Sequence, residues 1–202
     1  MFKLLRRFFS KQINVDPIVI VSGLPRSGTS MMMKILEAGG MSIATDNIRE
    51  ADEDNPKGYY ELEKVKKLKI DNTWLGDIAG MAVKMISMLL YDLPARYSYK
   101  IIFMRRKLEE VLASQKRMLE RHDRLADYAG DDEMRELYGQ HLEEVERWLG
   151  QQDNIEVVYV NYKDFLEAPV ENVKRLNESL GGHLDESAMA EVVDSQLYRQ
   201  RK

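Results

Sequence analysis

Apolar positions along this chain form short continuous runs separated by longer stretches with helical spacing. Residues 18–21, IVIV, are an unbroken β-branched run, the pattern of a strand covered on both faces. Residues 100–104 (KIIFM) and 155–160 (IEVVYV) read as further buried strands, and residues 41–45 as a shorter one. The run at 81–90, MAVKMISMLL, is apolar except for Lys84 and Ser87 and reads as a strand followed by a helical turn. Helices are expected from the turn before residue 30 to Ala38, then over 61–75, 107–122, 131–149, 170–180 and 186–193. Leu108, Val111, Leu112, Met118 and Leu119 form the inward stripe of the helix at 107–122, and Met134, Leu137, Leu142, Val145 and Trp148 thread the charged helix at 131–149. Gly39–Gly40 and Gly181–Gly182 are helix stops. Strands alternating with helices predict an α/β fold, a mainly parallel central sheet with helices on both faces.

Composition narrows this little. The chain has 202 residues, enough for one well-buried domain and short for two. With no repeat, low-complexity tract or linker, residues 1–202 read as a single domain that opens on a basic segment, 1–12. A net charge of −4, from 30 basic and 34 acidic residues, points to no nucleic-acid partner. The absence of cysteine removes disulfides and thiolate zinc sites and fits a cytoplasmic protein. His122, His141 and His183 are scattered and read as surface or helix-end residues, so no metal site is expected. No apolar run approaches the roughly 20 residues that span a bilayer. MFKLLRRFFSKQ at the start admits two readings, a domain-packed terminal helix or a weak peripheral membrane contact.

Chemistry concentrates where the first strand ends. Gly23-Leu24-Pro25-Arg26-Ser27-Gly28-Thr29-Ser30 keeps the glycine spacing of a phosphate loop but has Thr29 where GxxxxGK[ST] has lysine. Such a turn aims backbone N–H groups and a helix start at one point, suited to an anion with several oxygens, and Arg26 supplies positive charge. The missing lysine argues against ATP hydrolysis.

Other candidates follow in the chain. Residues 46–60 form a polar stretch with an acidic cluster (Asp46, Glu50, Asp52, Glu53, Asp54) and end at Glu61; irregular segments of this length are frequently functional, although most of the five carboxylates read by default as a solvated loop. Lys84, set in an apolar run, either snorkels to solvent or meets a phosphate. Arg105 and Arg106 end the strand at 100–104, and ligands of open α/β sheets sit beyond such ends. Ser114 shares the inward stripe of the next helix, away from Glu110 and Lys116. It serves either a ligand or its own helix carbonyl, while the arginines hold an anion or pair with Glu109 or Glu110.

Taken together, these segments resemble the sulfotransferase superfamily over most of the chain. PRSGTS, Pro25 to Ser30, is similar to the family's 5′-phosphosulfate loop in its arginine-containing form. IIFMRRKLEEVLASQKRM resembles the 3′-phosphate element, an arginine followed eight positions later by serine, in a register that selects Arg106 with Ser114. NPKGYYE (residues 55–61) and VVYVNYKDFLEAP resemble further segments of the family. The resemblance implies a three-layer P-loop-type fold and 3′-phosphoadenosine 5′-phosphosulfate as donor, with no metal required. It implies that Pro25, Arg26, Ser27, Gly28, Thr29 and Ser30 hold the 5′ end and that Arg106 and Ser114 hold the 3′ phosphate. Lys84 matches the lysine of the Lys-Thr-His triplet of cytosolic members, but Ile86 replaces the histidine base. Glu61 is then the preferred base, followed by Asp46 and Glu50, with Arg26 and Lys84 as catalytic cations. The family's C-terminal Arg-Lys-Gly loop is not present as such, although Arg199 and Arg201 lie near the end. Two other readings stay open from the sequence, a P-loop kinase or NTPase and a non-catalytic nucleotide-binding module. The acceptor and the oligomeric state are not named by any stretch of sequence.

Overall fold

A computed structural model of the chain describes residues 16–46 and 58–193. The basic segment 1–12, Glu50 with most of the acidic cluster, residues 55–57, and Arg199 and Arg201 lie outside the described residues. Five parallel strands form one sheet: β1 (Ile18–Gly23), β2 (Ile43–Ala44), β3 (Ala82–Lys84), β4 (Tyr99–Arg105) and β5 (Ile155–Asn161). Their spatial order is β2-β3-β1-β4-β5, so the first strand is central and the chain crosses from one side of it to the other between β3 and β4. That crossing places the ends of β1 and β4 side by side, with Gly23 paired to Met104.

Alternate residues of the strands feed two layers, as the period of two requires. Val19, Val21, Ile102 and Met104 pack with α1 (Thr29–Ala38), α4 (Tyr162–Glu167), α5 (Pro169–Ser179) and α6 (Glu186–Glu191) on one face. Ile18, Ile20, Val83, Ile101 and Phe103 pack on the other with Val145 and Leu149 of α3 (Asp131–Leu149) and with residues of 3₁₀ turns. A smaller cluster joins Leu24 to Val111 and Leu112 of α2 (Leu108–Arg121) and to Tyr138 of α3. The three-layer α/β expectation therefore holds. No helix among the described residues is long and apolar enough to cross a membrane.

Four local expectations are corrected. Residues 61–75 are not one helix but two 3₁₀ pieces, Glu63–Lys67 and Thr73–Ile78. The Asp71 carboxylate accepts from the Thr73 N–H and hydroxyl, and such local bonds compete with a continuous helix. β5 is an edge strand, so it is not a buried one, and Tyr159 is 41% exposed on it. On α3 Leu137 turns to solvent and Tyr138 takes the inward place against Leu24. His141 is not a free surface or helix-end residue: it lies within α3, half-buried, with Nε2 at 2.8 Å from the buried Ser87 hydroxyl.

That last contact has a measurable consequence. Burial holds the His141 imidazole below its ordinary pKa, opposed by the charge of Glu144. The unfolded chain therefore binds this proton more readily, and the stabilisation is complete above about pH 6.5 and lost as pH falls toward the folded pKa. Urea midpoints are expected to drop between about pH 7 and pH 5, and to drop less in His141→Gln; equal pH dependence in both proteins would contradict the assignment.

Candidate active site

The turn after β1 is shaped by close backbone approach. Gly23 has φ +146°, and a Cβ there would lie 2.6 Å from Ser27 Oγ and 2.7 Å from the Met104 carbonyl oxygen. Pro25 leads into Arg26, a non-glycine residue at φ +70°, a conformation that costs about 1–2 kcal/mol. Gly28 follows at φ +103° as the N-cap of α1, and Thr29 and Ser30 open the helix. The N-cap is a glycine, with no side chain of its own to cap the helix start, and the first turn holds no acidic residue, so the positive end of the helix dipole meets no carboxylate of its own first turn. The Ser22 and Ser27 hydroxyls are buried and have no hydrogen-bond partner among the described residues. Buried hydroxyls in that state call for an explanation, and an anion-binding turn is the place where one is available.

Gly28 also shows how tightly the turn is backed. A Cβ at this position would sit 2.4 Å from Tyr162 Cδ2. Gly28→Ala is expected to lower unfolding free energy by more than about 1 kcal/mol, since the native φ is unfavourable to alanine and the ring must move. Denaturant titration checks it, and an unchanged midpoint would show that the ring yields freely.

Strand pairing brings the second basic element to this turn. Arg106 lies two residues beyond Met104, the partner of Gly23. Its Nη1 donates to the Arg26 carbonyl at 3.1 Å, its Nε donates to Glu110 at 2.9 Å, and its guanidinium lies 4.4 Å from the Tyr162 ring centroid. Arg26 in turn sends Nε to Ser114 Oγ at 3.0 Å. Arg105 points elsewhere, pairing with Glu146 at 2.7 Å and lying over Tyr159. Glu110 overturns an expectation: it does not face outward with Lys116 but is buried, drawn in by the charge of Arg106 four residues earlier.

A third cation reaches the helix start from β3. The Lys84 side chain is 12% exposed, so it is not snorkelling to solvent. It donates to Ser30 Oγ at 3.3 Å and to the Tyr59 carbonyl, and its Nζ lies 3.8 Å from the Glu61 carboxylate. Ser30 directly follows the position where a Walker loop carries lysine, so an ammonium that is absent from the loop in sequence arrives there in space. Asp46 sits at the edge of this group. Its carboxylate accepts from the Glu63 N–H at 2.6 Å, while its own N–H donates to the Glu61 carbonyl at 3.2 Å.

Arg26, Ser27, Gly28, Ser30, Arg106 and Ser114 thus belong to one connected unit, with Lys84 and Glu61 joined to it through Ser30. Tyr162, which braces both Gly28 and Arg106, was missed from sequence. Its position immediately after β5, at the same C-terminal end of the parallel strands as the other candidates, was the available signal.

The family model described as "Sulfotransferase domain" matches residues 16–202. The chain belongs to this family. Among solved structures, this sulfotransferase-family chain is similar to mouse sulfotransferase SULT7A1 complexed with PAP, at 19% identity and TM-score 0.56 over 91% of this chain and 63% of the other. It is also similar to the sulfotransferase domain of the Synechococcus PCC 7002 olefin synthase, at 15% identity and TM-score 0.52 over 94% and 84% of the two chains. The sulfotransferase domain from the curacin biosynthetic pathway matches at 14% identity and TM-score 0.50 over 82% and 74%. At such identities the likeness is one of fold, and the chain spans under two thirds of the mouse protein's length. No curated protein sequence matches it.

Proposed function

We propose that this chain transfers a sulfuryl group from 3′-phosphoadenosine 5′-phosphosulfate to a hydroxyl or amine. The observation that carries the proposal is the link between the two basic elements: Arg26 donates to Ser114 at 3.0 Å, and Arg106 donates to the Arg26 carbonyl at 3.1 Å. A site for a molecule phosphorylated at both ends of an adenosine needs two such elements within one cleft. The donor set suits a polyanion, combining a helix start with a glycine N-cap, a buried Ser27 hydroxyl that has no hydrogen-bond partner among the described residues, and the cations of Arg26, Lys84 and Arg106.

In this assignment the backbone N–H groups of residues 27–30 and the Arg26 guanidinium hold the 5′ end, with Pro25 shaping the approach. Arg106 and Ser114 hold the 3′ phosphate and set preference for this nucleotide over ATP. The donor supplies an activated sulfuryl group on a phosphate oxygen. The protein's work is positioning and charge stabilisation, as in phosphoryl transfer. Lys84 and Arg26 face charge growing on the leaving side, and Glu61 takes the proton of the acceptor hydroxyl or amine. Among the three carboxylates expected from sequence, Glu61 is favoured because its side chain meets Lys84, whereas the Asp46 carboxylate caps the Glu63 N–H. A cytoplasmic setting remains part of the proposal.

The direct test is thermal stabilisation by 3′,5′-bisphosphoadenosine compared with ADP and ATP. The bisphosphate is expected to give the largest shift, about 2.7 kcal/mol of added stability at a hundred times its Kd. A larger response to ATP would overturn the donor assignment.

A further inference from the structure

The segment carrying Glu61 contains a non-glycine residue in the left-handed region, Tyr60. Within residues 58–61 the chain turns left-handed at two positions, Gly58 at φ +91° and Tyr60 at φ +52°. Glycine adopts that conformation freely. For tyrosine it costs about 1–2 kcal/mol, and such residues persist only where their surroundings enforce them.

Here the enforcing contacts run in opposite directions from neighbouring residues. The Tyr60 hydroxyl donates to Glu37 Oε2 at 2.6 Å, near the C-terminal end of α1. Tyr59 is buried, and its carbonyl accepts from Lys84 and, at 3.4 Å, from Ser30 Oγ. The Glu61 carbonyl accepts from Thr45 Oγ1 at 2.9 Å and from the Asp46 N–H at 3.2 Å, while its carboxylate faces Lys84. Tyr60 is therefore where the chain sends one side chain back along α1 and the next toward the cation at the helix start. A relaxed backbone at this residue would redirect both the Tyr59 carbonyl and Glu61. Burial and the Glu37 carboxylate raise the Tyr60 pKa, so the phenol stays protonated and remains a donor throughout the working range.

We infer that Tyr60 is a positioning residue that acts through its hydrogen bond to Glu37 to aim Glu61 at the reacting acceptor. The inference rests on the proposed role of Glu61 as base, and its two readouts separate the two ideas.

Tyr60→Phe removes only the hydroxyl. Stabilisation by 3′,5′-bisphosphoadenosine should be unchanged, and so should KM for the donor. Donor turnover, with water and with a simple phenol as acceptors, should fall about 10- to 100-fold, the scale of a misplacement near 1 Å. Amide hydrogen exchange over residues 58–63 should speed up. Glu37→Ala, at an exposed contact that puts the fold at little risk, should reproduce these effects, and Glu37→Gln, which keeps an oxygen acceptor for the phenol, should restore turnover to within a few-fold of the wild type. The double variant Tyr60→Phe, Glu37→Ala should be no worse than either single one, because both remove the same bond. Unchanged exchange in Tyr60→Phe, or additive losses in the double variant, would overturn the inference. A wild-type protein that binds the bisphosphate but turns over no donor would instead sink the proposed activity, and exchange over 58–63 would still decide whether the tether exists.

Discussion

Arg106→Ala is expected to cost about 3–5 kcal/mol of stability and to abolish the response to 3′,5′-bisphosphoadenosine. The first effect follows from burial: the paired side chains of Arg106 and Glu110 are 8% and 2% exposed and meet at 2.9 Å. Removing one partner strands the other charge in a low-dielectric setting, where the loss is far greater than for a surface pair. The second effect follows from the proposed 3′-phosphate role. Alanine scanning alone would merge the two, because a destabilised protein also responds less to ligand. The double variant Arg106→Met, Glu110→Leu separates them. Replacing a buried pair by apolar side chains is often neutral for stability, so urea unfolding should return close to the wild-type midpoint. The bisphosphate should still produce no thermal shift. Full ligand stabilisation in the double variant would remove Arg106 from the donor site and leave it as a structural brace between the Arg26 carbonyl, Glu110 and Tyr162.

Glu61→Gln is expected to lower turnover by about 10²- to 10⁴-fold, the range of a general base. Donor binding should remain, since in this assignment Glu61 serves the acceptor, from its place beside Lys84. Asp46→Asn should have a smaller effect, exerted through the segment it holds at Glu63. Steady-state turnover with radiolabelled donor, set beside calorimetric binding of the bisphosphate, measures both. If Asp46→Asn proved the more damaging at intact binding, the roles of the two carboxylates would have to be exchanged.

Much of the candidate site's local geometry was legible before the fold was known. The glycine spacing around Arg26, the strand before it and the Arg106–Ser114 interval are local patterns whose geometry follows from one strand, one turn and one helix. Arg105 and Arg106 could be told apart only by the resemblance, because at a strand end adjacent residues face opposite ways and the sequence does not say which face meets the loop. Glu110 was misread for a related reason. Helical spacing put it with Lys116, yet a carboxylate follows a buried guanidinium inward when the pairing offsets its desolvation. The 61–75 stretch failed because charged, amphipathic spacing is shared by helices and by short 3₁₀ turns, and the Asx bonds of Asp71 decided between them.

Sequence alone determined the alternation of strands and helices, the phosphate-type turn and the identity of its charged residues, since each depends on contacts within a few positions. Only the tertiary structure decided which distant groups meet. Parallel pairing of β1 with β4 sets Arg106 against the Arg26 carbonyl, and β3 carries Lys84 to Ser30 across 54 positions of chain. Register and crossover order make those meetings, and both are fixed by how two hydrophobic faces close on one sheet, a choice no single segment can make for itself.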